Sequence, residues 1–345
     1  MTERMAGVRL APYTTLGLGG PAGAFVEAGS PEEIVELVAE ADRAGEPVLV
    51  LGGGSNLVVS DDGFDGLVVR VASRGVEVDG DRVTAQAGED WDALVERVVA
   101  EGRSGVECLS GIPGLVGSTP IQNVGAYGQD VSQTITGVRV YDRRAGEVRD
   151  LDARECGFAY RHSAFKADPG RHVVLAVTYE LPPGGLSGPV AYRELAARLG
   201  VGLGERVPLG LARAAVLELR RGKGMVLDAA DPDTRSAGSF FTNPVLSVDE
   251  AAELERRAPG FPRWDMPGGA LKVPAAWLIE NAGFPKGYRR GPARISTKHT
   301  LAMTNPELSA TTADLLDLAR EVRDGVLEKF GVTLVNEPVM VGTRL

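Results

Sequence analysis

The chain has 345 residues, 43% of them hydrophobic and 24% charged, with a formal net charge of −10 at pH 7. That length allows two or three domains with a sizeable core. The acidic balance excludes a general nucleic-acid surface but says little about a small anion, which feels only its local site. No apolar run approaches the roughly 20 residues of a membrane span. The start, Met1-Thr-Glu-Arg-Met-Ala-Gly7, lacks the apolar centre of a secretion signal, so a cytoplasmic chain is expected. Cys108 and Cys156 make neither a disulfide framework nor a metal cluster, and they read as reduced and structural. His162, His172 and His299 lack metal-ligand spacing, and no metal is expected.

Helices and strands alternate from the start. Ser30-Pro31-Glu32-Glu33 joins an N-cap, a proline at the first helical position and a capping-box glutamate. Ile34, Leu37, Val38 and Ala41 follow at helical spacing, and Gly45 ends the helix. Val48 to Leu51 reads as a buried strand, with further strands at Leu57 to Val59 and Leu67 to Val69. Asp90 is positioned to cap a helix from Trp91 to Ala100, with Gly102 beyond its end. Val138 to Tyr141 and Val148 to Leu151 predict a hairpin around Arg144-Ala-Gly146, and Val173 to Leu181 another strand. Residues 182–189, rich in proline and glycine, read as a loop or the neck of an insertion. Leu209 to Arg221 is a helix with basic residues in its last turn. From about residue 230, loops surround short helices such as Ala275 to Asn281. A long helix runs from about Thr312 to Phe330, and Val332 to Val335 reads as a closing strand.

Two glycine-rich segments stand out, Leu51-Gly-Gly-Gly-Ser-Asn-Leu57 and the run from Gly111 to Gly128. Backbone without side chains can close on a pyrophosphate and offer it N–H groups. Either segment alone could be a tight turn. Together they suggest a large dinucleotide held from both sides. No helix follows the first segment, which disfavours a Rossmann fingerprint. The second carries uncharged hydrogen-bonding groups, Ser118, Thr119, Gln122 and Asn123. Three other places look over-equipped for structure: Tyr160 to Lys166, Ser236 to Pro244, and Asn336-Glu337-Pro338. Singly, these could be a solvated basic turn, a loop entering a strand and an exposed terminal acid. Acyl transfer is disfavoured, because Gly-x-Ser-x-Gly is absent.

Taken in order, five segments resemble the UDP-N-acetylenolpyruvoylglucosamine reductase family (UDP-N-acetylmuramate dehydrogenases). They are Leu-Gly-Gly-Gly-Ser-Asn, the Gly-Ile-Pro-Gly to Gly-Ala-Tyr-Gly run, Tyr160-Arg-His-Ser-Ala-Phe-Lys166, Ala237-Gly-Ser-Phe-Phe-Thr-Asn-Pro244 and Ala275-Ala-Trp-Leu-Ile-Glu280. The resemblance covers the chain from Thr15 to Glu337. It implies an α+β protein: a two-subdomain FAD-binding fold of the vanillyl-alcohol oxidase (PCMH) type plus a C-terminal α+β substrate-binding domain. The implied divisions are FAD-binding subdomains at 1–72 and 73–229, with a substrate loop near 184–200. A UDP-binding domain at 230–330 follows, and then a strand at 331–345 returning to the FAD-binding body.

The resemblance also implies noncovalent FAD and NADPH as hydride donor. Hydride would pass through the flavin to the enolpyruvyl methylene carbon of the UDP-sugar, leaving enolate character beside the carboxylate. A developing anion needs preorganised donors. By resemblance these are Arg161, which can form a fork with a carboxylate, and Glu337, either protonated or orienting Arg161. Ser239 corresponds to the proton donor to the carbanion. Cofactor contacts carried over are Gly52, Gly53, Gly54, Ser55, Asn56 and Leu57 in the first segment. The second adds Gly111, Ile112, Gly114, Gly117, Ser118, Thr119, Asn123, Gly125, Ala126 and Gly128, and Val174 lies further on. Substrate contacts are Tyr160, Tyr192, Arg220, Lys223, Asn243, Lys286 and His299. Lys223 and Lys286 could otherwise be solvated charges, and Tyr192 a helix-start residue packed on the core. Tyr192, in Ala191-Tyr-Arg-Glu-Leu195, matches the tyrosine-bearing loop of one of the family's two types. Thr242 and His299 depart from the usual lysine and glutamine, and Glu337 precedes rather than follows a proline. A monomer acting on small molecules is expected, with neither nucleic-acid nor membrane partners. Another flavin-dependent oxidase on the same scaffold and a non-catalytic nucleotide-binding module remain the rival readings.

Overall fold

The computed structural model describes residues 3–345. Met1 and Thr2, which open the segment judged to lack a secretion signal, lie outside the described residues. The chain forms two compact units. One comprises the residues up to Val8, Ala22–Gly53 and Asp65–Gly222. The other comprises Arg9–Pro21, Gly54–Phe64 and Lys223–Leu345.

The first unit holds a three-stranded sheet in the order Ala22–Ala28, Phe64–Val71, Val48–Leu51. The connecting helix, Pro31–Ala44, begins as the sequence predicts: Ser30 Oγ accepts from Glu33 N at 3.1 Å. The Glu33 carboxylate accepts from Gly29 N at 2.8 Å, so the reciprocal bond falls one residue upstream of the cap. Gly45 ends the helix at φ +67°. A five-stranded antiparallel sheet follows, in the order Glu147–Asp152, Ile135–Asp142, His172–Glu180, Arg82–Gln86, Val76–Asp79. Its first pair is the predicted hairpin. The helix Trp91–Ala100, capped by Asp90, buries Trp91 against Tyr179 with ring centroids 5.8 Å apart. One hydrophobic core joins Ile34 and Val38 of the first helix, Leu67 and Val69 of the first sheet, and Val138, Val140 and Val177 of the second.

A smaller core in the same unit packs Leu195 and Ala196 of the helix Arg193–Leu199 on Ala215 and Val216 of the helix Leu209–Gly222. Cys108 and Val190 complete it. Burial pushes the thiols of Cys108 and Cys156 up to about 12, so both are inert at neutral pH.

The second unit is built on a four-stranded antiparallel sheet ordered Ser236–Ser239, Ala302–Thr304, Ala293–Ile295, Arg289–Arg290. The helix Thr312–Phe330 has the predicted limits, with a capping box from Thr311 and Asp314 and a left-handed Gly331. The closing strand differs from expectation. Val332 and Leu334 are buried in the core, and their alternation mimics a strand. Around them the backbone is held by the Thr242 N to Val335 O bond (3.0 Å) and a bridge from Asn336 to Phe241. The regular strand, Val339–Val341, begins after Pro338 and runs parallel to Leu57–Val59. Among the described residues, no helix is long and apolar enough to cross a membrane.

Candidate active site

In the first unit the two glycine segments touch. A Cβ on Gly53 would lie 2.8 Å from Gly114 Cα, and one on Gly52 would lie 2.9 Å from Ser118 Oγ. Only glycine permits this approach, and the result is one continuous backbone surface of half-buried residues. This Cβ-free cradle fits the phosphates of a dinucleotide. Not every amide in it can donate outward. Gly111 N is bound to the Asp92 carboxylate at 2.6 Å, Gly117 N to Ala87 O at 2.9 Å and Ser118 N to Leu115 O at 3.0 Å. Side chains are similarly committed. Thr119 Oγ1 pairs with the Tyr179 hydroxyl at 2.8 Å, and Asn123 bonds Ala159 O at 2.9 Å and Ser132 N at 3.2 Å. Both residues are buried, so Thr119 and Asn123 shape the cradle from within. Val174 is likewise buried, opposite Val140.

Arg161 sits in a tight turn closed by two backbone bonds between Ala159 and His162, at 3.0 and 3.1 Å. Its φ of +51° is costly for a side-chain-bearing residue, about 1–2 kcal/mol. The guanidinium donates to Gly125 O at 2.7 Å and Asn123 O at 3.3 Å. A Cβ at Gly125 would lie 3.2 Å from Arg161 Nη1, so this glycine makes room for the arginine. These carbonyl dipoles orient the fork and bring no net charge of their own to offset it. Tyr160, exposed, stacks on the same guanidinium at 5.6 Å. Arg220 is buried in the same unit. Burial pushes its guanidinium down to about 10, with Tyr127 and Asp92 favouring the cation and Arg161 opposing it. It is still charged at neutral pH, so two cations share one neighbourhood.

In the second unit the chain at Gly54 passes so close to Tyr13 that a Cβ would meet Tyr13 O at 1.9 Å. Thr15 N donates to Gly54 O at 3.2 Å, and Thr15 Oγ1 to Ser236 O at 2.6 Å. Ser239 ends the strand begun by Ser236 and pairs with Ala302. Glu337 N donates to Phe240 O at 2.9 Å, so Glu337 is fastened to the residue after Ser239. Val339 N donates to Asn56 O at 2.9 Å, which ties the same segment to Asn56 and Leu57. Ser239, Glu337 and the end of the first glycine segment are thus joined by backbone. His299 accepts through its carbonyl from Ala302 N, the strand partner of Ser239, at 3.1 Å. Asn243 Oδ1 accepts from Ala275 N at 2.9 Å and so starts the helix Ala275–Asn281. Lys286 is exposed and Lys223 half-buried.

Known proteins share this architecture. Residues 22–152 match the FAD binding domain family, and residues 231–341 match the UDP-N-acetylenolpyruvoylglucosamine reductase C-terminal domain. A UDP-N-acetylenolpyruvoylglucosamine reductase of Thermobifida fusca is 60% identical over 98% of each chain. The chain belongs to this reductase family. A relative of the same name from Streptomyces coelicolor is 57% identical, over 97% of this chain and 90% of its own. The crystal structure of the Thermus caldophilus reductase matches with a TM-score of 0.68 at 27% identity, covering 99% of both chains. The reductase is therefore an α+β flavoenzyme with an FAD-binding fold and a C-terminal domain characteristic of its family. Its place is in peptidoglycan precursor synthesis. That assignment removes the oxidase and the non-catalytic module as readings of the chain.

Some supporting groups escape the motifs. Arg213 grips Asp92 with two bonds, at 2.6 and 3.0 Å, and Asp92 in turn holds Gly111. Glu107 is fully buried and accepts from Gly105 N, Gly188 N and Gln129 Nε2 at 2.7, 2.6 and 2.9 Å. In the sequence Asp92 and Arg213 look like ordinary helix-surface charges. Their only signal is position, near the start of one helix and within another basic one.

Proposed function

We propose that the reductase takes hydride from NADPH and delivers it to the enolpyruvyl ether of UDP-N-acetylglucosamine enolpyruvate, yielding UDP-N-acetylmuramate. When bound, FAD supplies the hydride carrier between the two, held by the glycine segments around Gly52 to Leu57 and Gly111 to Gly128. Arg161 pairs with the substrate carboxylate and stabilises the enolate that grows beside it. Its fixed guanidinium supports this role, because a fork already in place loses little entropy on binding. Arg220 adds charge near it. Glu337 supplies a second polar group at the developing enolate. Ser239 gives the proton that quenches the carbanion, and a hydroxyl suffices because a carbanion is a strong base. Tyr160, Tyr192, Lys223, Asn243, Lys286 and His299 contact the UDP-sugar, with the two lysines meeting the diphosphate.

The observation that carries this reading is the fastening of Glu337 to the residue beside Ser239, which sets two of the three reacting groups on adjacent backbone. The functional divisions proposed are FAD-binding subdomains at 1–72 and 73–229, a UDP-binding domain at 230–330 and a closing segment at 331–345. The start of the second family match at residue 231 supports the division near residue 230. The reductase works as a cytoplasmic monomer, and its net charge of −10 supports the absence of nucleic-acid partners.

Ser239→Ala tests the central role. It should still allow bleaching of the flavin by NADPH, while turnover falls about 10³-fold. Turnover near the wild-type rate would remove Ser239 from proton donation. NADPH oxidation should also require UDP-N-acetylglucosamine enolpyruvate.

A further inference from the structure

Tyr127 lies between Ala126 and Gly128 at φ +50°, a conformation that glycine would adopt without strain. A strained backbone retained with a large side chain points to work done by that side chain. The Tyr127 ring stands edge-on to Tyr192, with centroids 5.4 Å apart and planes at 86°. Next to it, a Cβ on Gly128 would lie 2.8 Å from Ala191 Cβ, so the segment carrying Tyr192 rests directly on the end of the long glycine loop. Tyr127 also packs against the small core formed by Val190, Leu195, Ala215 and Val216. The base of the segment is fastened differently: Gly188 N donates to the fully buried Glu107 carboxylate at 2.6 Å. The arm from Gly188 to Tyr192 is thus held at its root by Glu107 and midway by buried Val190, which exchanges backbone bonds with Glu205 and Gly204, while the Tyr192 ring meets the loop through an aromatic contact. Tyr192 is 44% exposed, so that contact can be exchanged for another without exposing a core.

We infer that Tyr127 is a positioning residue, a latch that docks the Tyr192 arm on the glycine loop and so governs how the arm meets the UDP-sugar. The inference rests on the reading of Tyr192 as a substrate contact. It assigns Tyr127 no contact with reacting atoms. An edge-on ring pair is weak enough to open and reclose during turnover.

The test is hydrogen–deuterium exchange of the FAD-loaded enzyme, with steady-state kinetics beside it. Tyr127→Gly removes the ring and relieves the backbone. Its amides at 189–196 should exchange about 10-fold faster, while those of the 91–100 helix keep their rate. KM for UDP-N-acetylglucosamine enolpyruvate should rise several-fold, by a larger factor than kcat falls. Tyr127→Phe keeps the ring and should match wild type in exchange. Tyr192→Ala should reproduce the faster exchange, and the double variant should add nothing to it. Unchanged exchange at 189–196 in Tyr127→Gly would overturn the latch, whatever the kinetics. Faster exchange with unchanged KM would overturn the control of substrate binding and locate the failure in the role given to Tyr192. Loss of FAD from Tyr127→Gly would also overturn it, because the ring would then belong to the cofactor cradle.

Discussion

The long glycine loop of the first unit and the Ser239 strand of the second hold their functional residues by different means. Among the described residues, the loop's own ladder is the short pairing of Gly125–Ala126 with Gln129–Asp130. Isolated backbone bonds such as Val116 N to Glu89 O and Gly117 N to Ala87 O pin its middle, and buried or half-buried polar side chains hold the rest: Asp92 on Gly111, Asn123 on Ala159 and Ser132, Gln129 on Cys108. The Ser239 region is fixed mainly by backbone, through the pairing of Ser236–Ser239 with Ala302–Thr304 and the bond from Glu337 N to Phe240 O. A loop held by side chains is open to damage from isosteric polar changes. A strand held by backbone tolerates those and fails when its main chain is displaced.

Gly54→Ala should break the second region most severely. The new methyl would sit 1.9 Å from Tyr13 O at φ +61°, so the backbone itself must move. A loss of at least about 3 kcal/mol in urea unfolding is expected. Gly45→Ala is the control: it has a similar φ of +67° with open space around it, and should cost only about 1 kcal/mol. Equal losses at the two sites would mean that φ alone, and not the close approach, makes Gly54 necessary.

Asp92→Asn is the corresponding blow to the first region. The amide keeps the shape but loses the charged pair with Arg213 and weakens the acceptor for Gly111 N. About 2 kcal/mol should go, seen as weaker FAD retention, because hydrogen bonds to ionised groups are the stronger kind. Flavin titration against the apoprotein measures it. An unaltered affinity would show that Gly111 keeps its place without Asp92.

Acid should expose the same dependence with a definite sign. Burial alone would raise the Asp92 carboxyl, but the bonds from Arg213 and Gly111 outweigh it and hold the acid below the usual range. A carboxylate with a lowered folded pKa contributes fully above its unfolded value, near pH 4, and loses that contribution as pH falls through the folded pKa. The stability gap between wild type and Asp92→Asn should therefore close as pH drops below about 4. A gap that stays constant to low pH would assign the effect of Asp92 to packing.

Local chemistry is the most readable part of the sequence. Ser30, Asp90, Gly45 and Thr312 to Phe330 mark helix limits through side chains that act within a few residues, and the structure keeps them. The glycine segments are readable as a cradle only together, since either alone could be a tight turn. What holds the cradle is not. Asp92 and Arg213 are 121 residues apart, and nothing near either one announces the other. Glu107 looks like an ordinary surface acid until the fold carries Gly188 to it. The closing strand is misplaced by its pattern because Val332 and Leu334 alternate as a strand would, while their burial serves the core. Strand pairing depends on a partner, here Leu57–Val59, that lies near the other end of the chain.

Thr15→Val should give the smallest effect and the finest comparison. Its Oγ1 donates to Ser236 O at 2.6 Å, a side-chain bond at the start of the Ser239 strand. Valine fills the same volume without the donor. The Ser236 carbonyl would be left short of one bond, at a cost of about 1 kcal/mol. If backbone pairing governs this region, the strand itself should hold, since Ser236 and Ser239 keep their partners Thr304 and Ala302. Stability should then fall slightly while the rate of substrate reduction by the pre-reduced flavoenzyme stays within about twofold. A large loss of rate with little loss of stability would mean that Ser239 depends on a side chain after all, and the contrast between the two regions would narrow to one of degree.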